Sequence, residues 1–224
     1  MTTPPKTPNP TAERREQLRD ALLRAVERTV ISEGYQALRA RSLAREVGCA
    51  VGAIYNVFPD LDALVFAAKA RTLDVLDGEL AKAVEPVGAS ARLAEREIAT
   101  RKLLALADAY LRFATEHSQL WRMLFEYRMA SNAEVPAWFV VRRSALFGHL
   151  DQPLAVIIPD VASEKRALIG RALFSAVHGI VALGLEQKID TLSTALIAGQ
   201  IATIVRACVA GLTAGSRRDD VICV

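Results

Sequence analysis

The sequence contains few of the residues that are typical of β-strands, disulfide bonds and tight turns. Its 224 residues include 9 prolines and 12 glycines. Dense β-branched runs are few, whereas Ala, Leu and Val abound, and this composition favours an all-helical protein. The 3 cysteines, Cys49, Cys208 and Cys223, are odd in number and have no paired spacing. They indicate a reducing cytoplasm rather than a disulfide framework.

Long apolar runs and targeting signals are also missing. The most apolar stretch, residues 172–185, is interrupted by Ser175 and His178 and is too short to cross a bilayer. The N-terminal residues MTTPPKTPNPTAERREQ contain no apolar core of a signal peptide. We therefore expect a cytoplasmic protein with no membrane partner.

The sequence also lacks the common patterns of catalytic and metal sites. His117, His149 and His178 lie far apart, with no carboxylate or cysteine at ligand spacing, so no metal is expected. No Gly-rich phosphate loop and no G-x-S-x-G motif occurs. We predict no catalytic residue and no cofactor. The net charge of +3 neither requires nor excludes a polyanionic partner.

Apolar residues recur at helical spacing along most of the chain, which predicts about nine helices and no strand. One of these helices is expected to begin at Pro136, to pass Trp138 and Phe147, and to end before Pro153 or Pro159. Proline-rich and glycine-rich breaks suggest the domain limits. The predicted parts are a disordered arm at 1–10, a helix-turn-helix domain at 11–60, a connecting helix at 61–88, a ligand-binding and dimerisation domain at 89–214, and a flexible tail at 215–224.

Two short helices are predicted in RSLAREVGCAVGAIYNVF, residues 41–58, with only three residues between them. Ala44 is small enough to let the second helix approach the first. Gly48 stands where the chain must leave the first helix, a position that favours a left-handed residue. Ile54 and Phe58, four residues apart, would attach the second helix to the core. Such a pair can place its second helix in the major groove of DNA, although a plain helical corner has the same pattern.

The remaining side chains of the second helix are expected to point outward. They are small near its start, which would permit close approach to a DNA groove. Asn56 can hydrogen-bond a base edge, and Tyr55 can donate to a phosphate. The outward residues are Ala50, Gly52, Ala53, Tyr55 and Asn56.

Residues 34–65, GYQALRARSLAREVGCAVGAIYNVFPDLDALV, resemble the DNA-binding signature of the TetR family of bacterial transcriptional regulators. The resemblance implies all-helical homodimers whose three N-terminal helices bind operator DNA. It also implies a divergent C-terminal domain that binds a small molecule and thereby releases the DNA. Residues 173–189, LFSAVHGIVALGLEQKI, with 117–128, HSQLWRMLFEYR, resemble a branch that has a histidine–glycine pair in the penultimate helix.

The chain departs from that family pattern at four positions. Arg39 and Ala50 replace the usual helix-capping Thr or Ser, a change that costs roughly 0.5–2 kcal/mol each. Leu61 replaces a Lys that often contacts phosphate, and Val57 replaces a common His. The basic residues expected to contact phosphates instead are Arg39, Arg41 and Arg45.

Aromatic side chains are concentrated in the second half of the sequence. Such residues are commonly core, but the family resemblance raises the expectation of an apolar pocket within residues 100–180. Tyr110, Arg128 and His178 would supply its polar contacts, although His178 alone is better explained as a hydrogen-bonded core residue. The candidate ligand residues are Tyr110, Phe113, Trp121, Phe125, Arg128, Trp138, Phe174 and His178.

The last two predicted helices carry long faces of small and apolar residues, so we expect a homodimer built from them. The sequence therefore predicts a repressor that a small apolar or amphipathic effector releases from its operator. The alternative is a helical small-molecule or lipid carrier, or an enzyme, that uses the same apolar pocket.

Overall fold

The computed structural model describes residues 10–88, 94–129, 134–187 and 191–215. These residues form ten α-helices and one short 3-10 helix, and no strand occurs among them, so the all-helical prediction is confirmed. Most of the predicted arm and tail, with Cys223, lies outside the described residues. The helices are α1 (Pro10–Glu33), α2 (Ala40–Val47), α3 (Val51–Tyr55), α4 (Leu61–Val84), α5 (Glu95–Glu116), α6 (Ser118–Glu126), α7 (Ala137–Ala145), α8 (Gly148–Ile157), α9 (Ser163–Leu185) and α10 (Thr194–Gly215), and the 3-10 helix is Tyr35–Ala37.

The chain divides into two compact units. The first unit consists of Met1–Thr72 and His117–Phe139, and the second unit consists of Leu73–Glu116 and Val140–Val224. The first unit therefore contains α6 together with α1, α2 and α3. The domain limits proposed from the sequence stay a prediction.

One core joins the helices of the first unit. Leu22 and Val26 of α1, Leu43 of α2 and Ile54 of α3 are all fully buried in it, together with Met123 of α6. Burial of a side chain such as Ile54 contributes roughly 1.5–3 kcal/mol. The short α3 is thus held by this packing, since a helix of five residues has almost no stability of its own.

In the second unit, α5 packs against α8, α9 and α10. Ile157 of α8 and Val181 of α9 are fully buried. A Cβ atom added to Gly184 would lie only 2.8 Å from the Cδ1 atom of Ile197, so glycine permits α9 and α10 to approach each other closely at this point.

The prediction of one helix from Pro136 to Pro153 or Pro159 is wrong. The chain forms α7 and α8 there, with a turn at Leu146 and Phe147. At this turn the amide of His149 bonds to the carbonyl of Leu146, three residues back, at 3.2 Å. Pro153 lies inside α8, where its missing N–H removes a single bond to the first turn of the helix.

Candidate functional site

The corner between α2 and α3 has the geometry that the sequence predicts. Gly48 ends α2 in the left-handed conformation, with φ 76° and ψ 34°, and its amide donates to carbonyls of the last turn. The amide of Cys49 bonds to the carbonyl of Ala44 at 2.9 Å, which completes a common C-terminal cap. Ala50 is extended, at φ −70° and ψ 146°, and α3 begins at Val51. Only three residues thus separate the two helices.

Neither of the two helices has a side-chain cap, as the sequence predicts. No side chain of Arg39 or Ala50 bonds to the first turn of its helix. The Nη1 atom of Arg39 instead donates to the carbonyls of Gln36 and Leu38, each at 2.8 Å. Arg39 therefore satisfies carbonyl groups around the 3-10 helix, a local role that its sequence position did not suggest.

The burial of α3 separates an inward side from an outward side. Ile54 and Phe58 are buried, whereas Ala50, Gly52 and Tyr55 are exposed. Ala53 is half-buried, and Asn56 is exposed at the C-terminal end of the helix. A Cβ atom added to Gly52 would meet nothing within 4 Å. The outward surface of α3 is therefore small, open and free of covering side chains.

Basic side chains of α2 lie exposed beside that surface. The one acid of α2, Glu46, accepts a hydrogen bond from the Nε atom of Arg28 at 2.8 Å, which neutralises its charge. Within the part of the chain that the structure describes, Arg41 and Arg45 make no ion pair and no hydrogen bond. Both guanidinium groups are thus available to an external anion.

Two tyrosines connect α6 to the N-terminal helices inside the first unit. The hydroxyl of Tyr35, in the 3-10 helix, donates to the Oε2 atom of Glu126 at 3.2 Å. The hydroxyl of Tyr127 donates to Asp62, in the first turn of α4. The two rings meet edge to face with 6.2 Å between their centroids. Burial, followed by the bond to Asp62, raises the pKa of Tyr127 and keeps the phenol protonated.

A buried lysine lies beside this contact. Lys69 of α4 is only 4% exposed. Its Nζ atom is 4.8 Å from the ring centroid of Phe66, 5.2 Å from that of Phe139 and 5.8 Å from that of Tyr127. Cation–π attraction of this kind partly compensates an ammonium group for lost water. The sequence reading did not single out Lys69, since a lysine in an amphipathic helix normally marks the solvent side.

Four of the eight candidate ligand residues belong to the second unit. Tyr110 and Phe113 of α5 are buried, and the hydroxyl of Tyr110 lies 2.7 Å from the Nδ1 atom of His178. Phe174 stacks on the His178 ring at 5.7 Å and packs edge to face against Tyr110 at 5.4 Å. Burial lowers the pKa of His178, which favours a neutral ring. His178 is thus hydrogen-bonded and half-buried in this cluster, and its role in ligand binding stays a prediction.

The other four candidates belong to the first unit. Trp121 is buried and packs against Phe125 with 5.5 Å between ring centroids. Phe125, Arg128 and Trp138 are exposed. Their common assignment to one ligand site stays a prediction.

The second unit contains a cavity of about 340 Å³ near the end of α4. Its wall combines apolar side chains with a lysine, a histidine and a glutamine. None of the eight candidate ligand residues lines it. The lining residues are Val84, Lys102, Ala145, Gly148, His149, Gln152 and Pro153.

Known proteins resemble the chain in sequence over its second half and in fold over most of its length. Residues 103–204 match the model of the tetracyclin repressor-like C-terminal domain. A TetR-family transcriptional regulator from Streptomyces coelicolor superimposes with a TM-score of 0.58 and 20% identity, over 93% of this chain and 84% of that one. Residues 103–204 therefore belong to the TetR-type C-terminal domain family. No curated protein matches it significantly in sequence.

Two further solved structures resemble the chain in fold. A protein with unknown function from Rhodococcus sp. RHA1 is 26% identical, with a TM-score of 0.64, and the match covers 88% of this chain and 94% of that one. RolR in complex with the ligand resorcinol is 15% identical, with a TM-score of 0.60, over 92% and 96% of the two chains. At such identities the likeness to RolR concerns the fold alone.

Proposed function

We propose that this protein is a cytoplasmic repressor of the TetR family that binds operator DNA through α2 and α3 and is released by a small effector. The observation that carries the proposal is the corner at Gly48, which holds the outward surface of α3 open while Ile54 fixes its other side in the core. A second helix held in this way can enter a major groove while the first helix lies across the backbone.

The exposed groups around the corner fit two kinds of DNA contact. Arg41, Arg45 and Tyr55 would hold phosphates, with Arg39 beside them, and these contacts position the protein without reading sequence. Asn56 would hydrogen-bond a base edge, and the small surface of Ala50, Gly52 and Ala53 would lie against the bases. Because Ile54 is fully buried, it fixes the position of this surface relative to the core.

A homodimer through α9 and α10 would present two such helices to two half-sites. Both helices are apolar and long enough to cross a membrane by length and composition, yet only 28% and 22% of their most apolar windows is buried. In the single chain, Leu168 is 56% exposed, Leu183 42% and Leu196 58%. A second copy packed on these faces would bury this surface. Sedimentation as a monomer at micromolar concentration would contradict this arrangement.

The effector is proposed to bind in the second unit. The family match from residue 103 to 204 falls largely there, and the cavity of about 340 Å³ lies in the same unit. RolR, a relative by fold, is known in complex with resorcinol, which is a small molecule of the size expected here.

The decisive test is the substitution Gly52→Leu. Because a Cβ atom at Gly52 meets no neighbour within 4 Å, the variant should fold normally. The leucine would fill the space that a base edge must enter, so binding to DNA from the region beside the protein's own gene should be abolished at concentrations that saturate the unaltered protein.

Gly78→Leu is the matched control, since Gly78 also lies in a helix and also has open space around its Cβ position. This control should retain DNA binding in a gel-shift assay, and circular dichroism should show both variants folded. Normal DNA binding by Gly52→Leu would show that α3 does not read the operator. A carrier or an enzyme would give no sequence-selective shift even before substitution.

A further inference from the structure

The cavity of the second unit is built from three separate segments. Val84 comes from the end of α4 and Lys102 from α5, and the other lining residues belong to α7 and α8. Its volume of about 340 Å³ is at the lower end of the range for small-molecule sites, roughly 300–1,000 Å³. A site of this size suits a small organic molecule rather than a long lipid chain.

Two acidic side chains near the cavity, Asp77 and Asp151, are already engaged by basic neighbours. The Oδ1 atom of Asp77 lies 2.7 Å from the Nε2 atom of the lining His149. Asp151, in the first turn of α8, receives a hydrogen bond from the Nε atom of Arg166 at 2.7 Å. Each of these two carboxylates thus already has a basic partner other than Lys102.

Lys102 is the basic lining residue without an acidic partner in the described part of the chain. Its side chain is half-buried, and among residues 10–88, 94–129, 134–187 and 191–215 it has no ion-pair or hydrogen-bond partner. The amide of Gln152 likewise has no partner there. A half-buried lysine and an exposed amide donor in the wall of one cavity favour an anion, because a hydrogen bond to an ionised acceptor is stronger than one between neutral groups.

We propose that this cavity binds a small organic acid through its carboxylate. The carboxylate would pair with the ammonium of Lys102 and accept a hydrogen bond from Gln152, while the apolar part of the molecule would lie against Val84, Ala145 and Pro153. A single lysine matches one negative charge. No arginine lines this cavity to offer the two parallel donors that favour a phosphate.

The role of this acid as the effector rests on the proposed function, but its binding does not. Titration calorimetry with benzoate and hexanoate, each compared with the matching amide, measures binding without DNA. We expect both acids to bind and both amides to bind at least about tenfold more weakly, because the amide lacks the charge that Lys102 recognises.

Lys102→Met removes the charge and keeps the length of the side chain, so it should weaken the two acids about tenfold or more and leave the amides unaffected. Lys82→Met is the matched control. Lys82 is exposed on α4 and does not line the cavity, and its position two residues from Val84 places it on another face of the helix.

Gly148→Leu tests whether the ligands occupy the cavity. It adds a side chain at the wall, where no atom lies within 4 Å of the Cβ position, and should block acids and amides alike.

Equal binding of acids and amides, unchanged binding by Lys102→Met, or no binding of either acid would overturn the inference. Gel shifts on the same preparations separate this result from the proposed function. Selective DNA binding without any acid binding would leave the repressor intact and refute the acid site. Acid binding without any DNA shift would support the site and refute the repressor.

Discussion

The two glycines Gly48 and Gly52 should respond differently to substitution by alanine: only Gly48→Ala should lower the stability. Gly48 has φ 76°, a conformation that costs a residue with a Cβ atom roughly 1–2 kcal/mol. No atom lies within 4 Å of the Cβ position, so Gly48→Ala adds no clash with neighbouring groups. After allowance for the reduced freedom of the unfolded chain, the free energy of unfolding should fall by about 1 kcal/mol.

Gly52 gives the matched comparison only four residues away. It lies within α3, its φ is not positive, and its Cβ position is equally open. Glycine inside a helix is less stable than alanine by roughly 0.5–1 kcal/mol, so Gly52→Ala should leave stability unchanged or raise it by up to about that amount. Gly48→Asn should lose less than Gly48→Ala, because asparagine tolerates the left-handed conformation.

Tryptophan fluorescence during urea unfolding is the appropriate measurement. The chain has 2 tryptophans, Trp121 and Trp138, and both belong to the first unit, as do both glycines. Trp121 is 3% exposed, so its emission should shift when the core that holds α3 opens. The conformational argument would be refuted if Gly48→Ala were as stable as the unaltered protein. It would also be refuted if Gly52→Ala lost as much free energy of unfolding as Gly48→Ala.

Two further predictions concern the DNA contacts and the link to α6. Arg45→Ala should weaken binding to all DNA sequences about equally. It should also lower by about one the slope of the logarithm of the binding constant against the logarithm of the salt concentration. Asn56→Ala should reduce the free energy of binding to the operator by roughly 1–3 kcal/mol and change binding to random DNA little. Salt titrations of each variant on operator DNA and on random DNA measure both effects. The same loss of affinity and the same salt dependence in the two variants would contradict the assigned roles. Tyr127→Phe removes a hydrogen bond to the Asp62 carboxylate and should lower the stability of the first unit by about 1.5 kcal/mol. The same fluorescence titration measures that loss, and a change below about 0.5 kcal/mol would show that the bond contributes little.

Helix ends that carry a strong local signal could be predicted from the sequence. Gly34 and Gly48 both have positive φ values where α1 and α2 end, and α4 begins just after Pro59. The turn between α7 and α8 carries no such signal at Leu146 or Phe147. Its position depends on how α8 packs on α5, which is a contact between distant parts of the chain.

Burial along α3 could also be predicted, because it follows from the helical period once its start is known. Ile54 and Phe58 are buried as expected. The surroundings of the aromatic residues could not be predicted, since spacing along a helix does not show which unit a side chain joins. Trp121 and Tyr110 lie only eleven residues apart in the sequence and yet belong to different compact units. The cavity was missed for the same reason, because Lys102 and Gln152 come together only on folding.

The membership of α6 in the first unit has a mechanical consequence. The family match that begins at residue 103 includes α6, although this helix shares its core with α1, α2 and α3. Tyr35, which bonds to Glu126 of α6, lies in the 3-10 helix that leads directly into α2. Asp62, which bonds to Tyr127, lies in the first turn of α4, just after α3. A displacement of α6 must therefore either break these two bonds or move the segments on both sides of the α2–α3 corner.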